Sequence, residues 1–301
     1  MTSKPTVTIG IPAYNEEANI GYLIADLLEQ NQIDFELDQI LVSSDASEDK
    51  TDEIVTNFNN EKVVLIKNQI REGQGARQNQ IIKKCSSDIL ILLNADIQIK
   101  DKNVINAMAK AINNGADLVC GPLFEIEPTT FFEKIICFGS ELRRNAFAKF
   151  NSGKNIFTCH GSHRAFSKRF YEQFEFKGSI AEDAYSYLTC IKNGFNYEYV
   201  NEAEVFVKLP DNPADHIKQS SRFFAVNKKL ANQFDREFID QHFKIPKQEF
   251  ASEGLKLFLQ KPLMAIIYAI TTIYVVIKTK LGLTEKKDTW KIVASSKNLR
   301  K

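Results

Sequence analysis

Residues 89–99, ILILLNADIQI, contain an unbroken apolar run that ends at Asn94, Ala95 and Asp96. A short continuous run of this kind is typical of a strand buried on both faces of a parallel sheet. Polar groups begin where the run stops. We therefore predict a central strand with a polar tip, residues 94–96. That tip is either only the place where a strand reaches water or a site that lacks one of two carboxylates.

Strand-like and helix-like patterns alternate on both sides of this stretch. We predict strands at residues 6–14, 38–44, 62–68 and 116–122, and helices at 15–30, 50–60, 75–85 and 102–115. Such alternation predicts right-handed βαβ units and a mostly parallel sheet with helices on both faces. We expect Asn15 to cap the first helix, with Glu16 and Glu17 at its positive end.

Polar and acidic residues follow four of the predicted strands. These groups are residues 12–16, 45–49, 71–75 and 94–96. Each group alone is compatible with a helix cap or a turn. In open parallel sheets, however, ligands bind beyond the carboxyl ends of the strands. Four groups in register therefore predict one shared binding site.

The second half of the chain contains further helical patterns. We predict an amphipathic helix at residues 129–150 and a helix that begins at Glu182-Asp183 and stops at Gly194. A later helix carries Gln219 and Arg222 on one face, since they are three residues apart.

An uncharged segment, residues 262–277, lies between Lys261 and Lys278 near the C-terminus. A spanning helix needs roughly 20 apolar residues, and flanking lysines can extend a shorter one. Residues 278–301 contain eight basic and two acidic side chains, which suits an anionic membrane surface. We expect membrane association, either spanning or in the interface, with a buried helix hairpin as the alternative.

Composition narrows the class of protein. The chain has 301 residues, 44% hydrophobic and 26% charged, as in ordinary globular proteins. A formal net charge of +1 argues against nucleic-acid binding. The five cysteines form no Cys-x-x-Cys pair, which favours buried free thiols in a reducing compartment. No apolar run follows a basic one at the N-terminus, so we expect a cytoplasmic protein without a signal peptide.

Six short segments occur in a fixed order between Val7 and Arg222. They are VTIGIPAYNEEANI (7–20), VSSDASEDKT (42–51), REGQGARQN (71–79), LLNADIQI (92–99), AEDAYSYLTCIKNGF (181–195) and QSSRF (219–223). Together they resemble the family 2 glycosyltransferases, which have the GT-A fold. In order, they are similar to that family's Pro-x-Tyr-Asn-Glu turn, Asp-rich loop, Gly-Lys-Gly-x-x-x-Asn segment, Asp-x-Asp motif, Glu-Asp acceptor motif and Gln-x-x-Arg-Trp motif.

The resemblance implies an α/β fold: a Rossmann-like, mostly parallel GT-A sheet flanked by helices, with a C-terminal helical appendage. The glycosyltransferase domain is then expected at residues 1–225, with a nucleotide-sugar-binding half at 1–120 and an acceptor half at 121–225. The helical C-terminal region takes residues 226–301.

The resemblance also implies roles for individual residues. Asp183 is the expected general base, with Glu182 orienting it or contacting the acceptor, and Asp96 is the expected ligand of Mg²⁺ or Mn²⁺. The expected nucleotide-sugar-binding residues are Pro12, Ala13, Tyr14, Glu16, Asp45, Gln74, Asn79, Asn94, Ala95 and Arg222.

Four positions depart from the family pattern. Ser44 replaces the first loop aspartate, Gln74 replaces a lysine, and Phe223 replaces a tryptophan. Asn94 replaces the first carboxylate of Asp-x-Asp. In the resemblance the last aspartate of that motif binds the metal directly, so we expect Asn94 to weaken the metal site and not to abolish it.

The leading hypothesis is an inverting glycosyltransferase at the cytoplasmic face of a membrane. It would move a sugar from a nucleotide sugar, expected to be UDP-linked, to a glycan or lipid-linked acceptor in cell-envelope polysaccharide or glycolipid synthesis. One alternative is transfer to a polyprenyl phosphate. Another is a nucleotide-sugar-binding scaffold without turnover, which Gln74 and Asn94 favour. A single apolar segment is too little for the channel of a processive synthase.

Overall fold

The structure is a computed structural model that describes residues 4–177, 181–280 and 298–299, with the backbone alone at 221–228, 279 and 280. The strands are β1 (Thr6–Ala13), β2 (Glu36–Ser44), β3 (Val63–Lys67), β4 (Ile89–Leu93), β5 (Leu118–Cys120), β6 (Leu123–Glu125), β7 (His163–Ser167), β8 (Tyr197–Tyr199) and β9 (Val205–Val207). The helices are α1 (Ile20–Leu28), α2 (Thr51–Thr56), α3 (Gln74–Lys84), α4 (Val104–Asn113), α5 (Phe131–Lys149), α6 (Lys168–Tyr171), α7 (Glu182–Lys192), α8 (Pro213–Leu230), α9 (Arg236–His242), α10 (Lys247–Gln260) and α11 (Pro262–Lys280).

Seven strands form one sheet in the order β3-β2-β1-β4-β7-β5-β8. All neighbours are parallel except β7, which runs antiparallel to both β4 and β5. The predicted mostly parallel sheet is therefore confirmed. The sequence analysis missed β7 because its residues, HRAFS, begin with a histidine and an arginine, where a buried strand usually carries aliphatic side chains.

Strand β4 has the central, buried position that the apolar run predicts, and all five of its residues are buried. Its neighbour β1 packs closely against α3. A Cβ added at Gly10 would lie 2.4 Å from Cγ2 of Ile81, so only glycine permits this approach of strand and helix.

The predicted start of the first helix is wrong. Helix α1 begins at Ile20 and not at Asn15, which has a positive φ of 52°. Instead of capping the helix, Asn15 Oδ1 accepts a hydrogen bond of 2.9 Å from the Glu48 N–H. The Glu16 N–H donates to Thr51 Oγ1 at 2.7 Å. Residues 15–19 thus form a turn tied to the loop after β2, which local helix propensity cannot reveal.

By compactness the chain divides into two units. The first comprises Met1–Phe124, Cys159–Phe206 and Leu299–Lys301, and the second comprises Glu125–Thr158 and Val207–Asn298. The first contains the seven-stranded sheet. In the second, α5 begins with a capping box between Thr130 and Glu133 and packs against α10 and α11. The domain boundaries that we expect from the sequence stay predictions.

Three of the five cysteines are buried and two, Cys85 and Cys137, are half-buried, and all five are free thiols. Within the ranges that the structure describes, no helix is both long enough and apolar enough to cross a bilayer. Most of the basic tail, residues 281–297, 300 and 301, lies outside the described residues.

Candidate active site

The carboxyl ends of β1, β2 and β4 lie side by side at one edge of the sheet, as the parallel pairing requires. The Asp45 N–H donates to the Ala13 carbonyl at 2.8 Å, so the groups after β1 and β2 are in direct contact. The N-terminus of α3 reaches the same edge through Gly73. The structure therefore brings together the four polar groups that follow the predicted strands.

Asp45 is the centre of a buried polar network. The residue is 4% exposed, and its side chain accepts hydrogen bonds from the N–H groups of Glu72 and Gly73, both at 2.9 Å. Arg77, 3% exposed, donates from Nε to the same carboxylate at 2.7 Å. The resemblance to family 2 glycosyltransferases implies that Asp45 contacts the nucleobase. Here its carboxylate holds the turn before α3.

Gln74 and Asn94 form an amide pair across the site. Gln74 Nε2 donates to Asn94 Oδ1 at 2.8 Å. Gly73 makes this possible, because its φ of 93° turns the chain into α3 in a conformation that favours glycine. The two departures from the family pattern at these positions thus contact each other. A neutral pair stands where the family pattern has a lysine and an aspartate.

The turn after β1 offers an aromatic ring. Tyr14 is half-buried, and the Arg71 guanidinium lies 3.8 Å from the centre of its ring, a cation–π contact. Pro12 is half-buried and Ala13 is buried. Glu16 is buried and accepts from Asn19 Nδ2 at 3.2 Å, so its carboxylate is used within the turn.

The tip after β4 is anchored through its backbone. The Asn94 N–H donates to the Ser162 carbonyl at 2.8 Å. Ala95 is buried, whereas the side chains of Asn94 and Asp96 are half-buried. The polar tip is therefore more than a strand end, because it is fixed on both sides by polar contacts to Gln74 and Ser162.

Asp183 lies in the first turn of α7, as predicted. Its Oδ1 accepts from the Ala184 N–H at 2.7 Å. Burial raises the pKa of the Asp183 carboxyl above its usual range, while that hydrogen bond and the charge of Arg164 act in the opposite direction. Glu182 is 4% exposed, and its backbone carbonyl accepts from Arg164 Nη1 at 2.7 Å.

One short segment, Cys159–Ser162, contacts both the tip and Asp183. Ser162 binds Asn94 as described above. A Cβ added at Gly161 would lie 3.8 Å from Cβ of Asp183, and the Cys159 thiol lies 3.6 Å from the Asp183 carbonyl. The structure therefore brings Asp183 next to the segment that holds the tip, although about 90 residues separate Asp183 from the tip in sequence.

Two predicted binding residues, Asn79 and Arg222, are not among the contacts described above. Both ends of the Asn79 amide bind the Phe176 backbone, with Nδ2 donating at 3.0 Å and Oδ1 accepting at 2.8 Å. Arg222 is in α8, and its side chain lies outside the described residues, as does that of Phe223. Gln219 is half-exposed on the same helix.

The tip fits a hard divalent cation by its chemistry. Asp96 supplies a carboxylate, and Asn94 supplies an amide oxygen beside it. Mg²⁺ and Mn²⁺ take such oxygen ligands, commonly one or two carboxylates together with substrate phosphates. Among the side chains that the structure describes, no group of three or more His, Cys, Asp or Glu residues gathers around one point.

His163 has a structural role. It is fully buried, its Nε2 accepts from the Gly121 N–H at 3.0 Å, and Nδ1 lies 2.9 Å from Ser162 Oγ. Burial lowers the pKa of His163 to about 3, so the imidazole is neutral.

Sequence reasoning missed Arg77 and Arg164. Arg77 lies two residues after the Gly-x-Gly pattern of residues 73–75, and its signal was an arginine on the buried face of a helix. Arg164 is fully buried in β7, and its Nε and Nη2 have no hydrogen-bond partner among the described residues. Its centre lies 5.4 Å from the Phe176 ring. An arginine directly before the apolar pair Ala165-Phe166 was the only signal for it.

Comparison with known proteins adds three findings. The model of glycosyl transferase family 2 matches residues 8–174. A UDP-Glc:alpha-D-GlcNAc-diphosphoundecaprenol beta-1,3-glucosyltransferase, WfgD of Escherichia coli, is 31% identical over 90 residues, which are 30% of this chain. The matched part is about a third of that relative's length, 34%.

Solved structures share the fold. The mannosyltransferase PcManGT of Pyrobaculum calidifontis, in complex with GDP-Man and Mn²⁺, has a TM-score of 0.58 at 16% identity, over 94% of this chain and 82% of the other. Glucosyl-3-phosphoglycerate synthase of Mycobacterium tuberculosis, in complex with Mn²⁺, UDP and phosphoglyceric acid, has a TM-score of 0.54 at 15% identity, over 75% and 78%. At such identity the likeness shows the GT-A fold alone.

Proposed function

Since the chain belongs to glycosyl transferase family 2 and is a glycosyltransferase, we propose that it transfers a sugar from a nucleoside diphosphate sugar to an acceptor hydroxyl with inversion. We expect the donor to be UDP-linked. The observation that supports this most is the contact of one segment, Cys159–Ser162, with both the tip and Asp183. The residues that we propose for the leaving group and for the base thus contact the same short stretch of chain.

Asp183 is the proposed general base. It takes the proton of the acceptor hydroxyl while the oxygen attacks the anomeric carbon from the side opposite the nucleotide. The bond between that carbon and the diphosphate oxygen breaks, and its electron pair leaves with the nucleotide. The raised pKa of Asp183 makes it a stronger base than an exposed aspartate. Glu182, directly before it, orients the start of α7.

Asp96 is the proposed holder of a Mg²⁺ or Mn²⁺ ion, which when bound neutralises charge on the leaving diphosphate. Asn94 and Gln74 bind each other without net charge and position the tip. Tyr14 and Pro12 offer apolar surface to the nucleobase. Asp45 acts by holding the turn before α3, whose N-terminal N–H groups favour phosphate.

The acceptor that we propose is lipid-linked. WfgD is named for transfer to a sugar on diphosphoundecaprenol. A lipid-linked acceptor places the reaction at a membrane, and we propose the cytoplasmic face, in cell-envelope polysaccharide or glycolipid synthesis.

A transfer assay tests this function. A panel of UDP- and GDP-sugars is incubated with the protein, Mn²⁺ and a polyprenyl-diphosphate-linked sugar, and product is separated by extraction. We expect transfer from one UDP-sugar, its loss in Asp183→Asn, and no loss in Glu175→Gln, which changes an exposed carboxylate. Donor binding without turnover across the panel would make the protein a scaffold. Retained activity in Asp183→Asn, with label on polyprenyl phosphate, would favour that acceptor instead.

A further inference from the structure

Helix α11 exposes large apolar side chains along one face. Leu263, Ile266, Ile270, Ile273 and Ile277 are each 51–67% exposed. Their spacing of three or four residues places them on one side of the helix, and we name these five residues the apolar face. Soluble monomers rarely leave such a continuous apolar stripe in water, so a partner for it is expected.

The opposite side of α11 is already occupied within the second unit. The Tyr268 ring lies 5.8 Å from that of Phe138, and its hydroxyl accepts from Arg143 Nη1 at 2.8 Å. A Cβ added at Gly139 would collide with the same ring, at 2.0 Å. Val275 is 5% exposed. The helix is therefore fixed by that side, and the apolar face remains exposed.

Helix α10, in the same unit, adds exposed apolar residues. Leu255 is 61%, Phe258 43% and Leu259 72% exposed. Exposed apolar side chains thus occur on both α10 and α11, which favours a broad, apolar partner.

Lysines predominate among the charged residues along this part of the chain. Residues 255–280 contain four lysines, at 256, 261, 278 and 280, and no aspartate or glutamate. From α5, Glu141 pairs with Lys261 at 3.1 Å. Lys278 lies 5.7 Å from the Tyr274 ring. In the sequence, residues 281–301 contain six basic side chains and two acidic ones.

We propose that the apolar face lies in the headgroup plane of an anionic bilayer, with α11 parallel to the surface. Apolar side chains then reach the acyl boundary, and lysines at both ends of the helix extend to the lipid phosphates. A second copy of this chain is a poorer partner, because pairing two such faces would bring lysines together. The inference does not depend on the proposed reaction, although a lipid-linked acceptor would be found at the same surface.

Vesicle co-sedimentation of the full chain tests the proposal. Phosphatidylcholine vesicles with and without phosphatidylglycerol are compared for the wild type, Ile270→Glu and Ile33→Glu. The control is matched, since Ile33 is 59% exposed and Ile270 is 62% exposed. We expect binding to the anionic vesicles only, weakened by high salt. Ile270→Glu should reduce it at least about tenfold, because burial of an isoleucine is worth about 1.5–3 kcal/mol. Ile33→Glu should bind as the wild type does.

Three results would overturn the proposal. They are equal binding to neutral vesicles, equal losses in the two variants, and a wild-type dimer that Ile270→Glu dissociates in the absence of lipid. Transfer to a soluble short-chain acceptor, measured without vesicles, separates this surface from the active site. We expect that activity to be unchanged in Ile270→Glu, so a failed membrane result leaves the proposed reaction to be judged on its own.

Discussion

Replacement of Asp45 by asparagine removes the carboxylate that holds Arg77 and the turn before α3. Both residues are almost fully buried, at 4% and 3% exposed. Loss of one partner of a buried ion pair costs about 3–5 kcal/mol, because the other charge is left without compensation. Glu72 also binds Arg77, and asparagine keeps one acceptor oxygen. We therefore expect the lower end of that range, about 3 kcal/mol.

Urea unfolding measures the free energy of unfolding directly. Asp240→Asn is the matched control, since Asp240 pairs with Arg236 at 3.9 Å on the surface, where a pair is worth about 0–1 kcal/mol. In the double variant Asp45→Asn/Arg77→Met the buried cation is gone as well. We expect it to be more stable than Asp45→Asn alone. Calorimetry without urea, where each variant is folded, measures the affinity of the site for UDP.

The reasoning fails if Asp45→Asn unfolds at the same urea concentration as the wild type and loses only its affinity for UDP. Asp45 would then contact the nucleobase, as the sequence resemblance implies, and the bonds to the turn would be energetically minor. A double variant no more stable than Asp45→Asn would contradict the buried-charge argument separately.

Three further predictions concern the tip and the base. Asp183→Asn should lower the transfer rate by about 10²–10⁴-fold. In the wild type, activity should rise with pH through a midpoint above that of an ordinary aspartate, because the base must be deprotonated and burial raises its pKa. A pH-independent rate would contradict this assignment. Asp96→Asn should abolish Mn²⁺-dependent binding of UDP in calorimetry, whereas Asn94→Asp should be tolerated; the reverse pattern would exchange the two roles. Gln74→Lys should weaken UDP binding and lower thermal stability, and the double variant Gln74→Lys/Asn94→Asp should lose less of both, since the pair then regains matched charges. Additive effects in a double-mutant cycle would show that the two amides act independently.

The sequence predicted more of the fold than of the site. The run at residues 89–93 specifies a buried strand because five consecutive apolar residues cannot face water on either side of a sheet. Alternation of strand and helix patterns then predicts parallel neighbouring strands, and the observed pairing confirms the mostly parallel sheet. The short strand β7 escaped because its polar residues carry no strand signal, and the first helix began late because Asn15 and Glu16 bind the loop after β2.

Sequence alone determined which residue types stand at the strand ends, since each strand and the turn after it are consecutive in the chain. Only the tertiary structure decided what those residues bind. It turned Asp45 inward to Arg77, joined Gln74 to Asn94, and brought the Cys159–Ser162 segment against both Asp183 and the tip. These contacts link residues 20 to 68 positions apart, and their geometry follows from how the sheet stacks its crossovers and not from any local propensity.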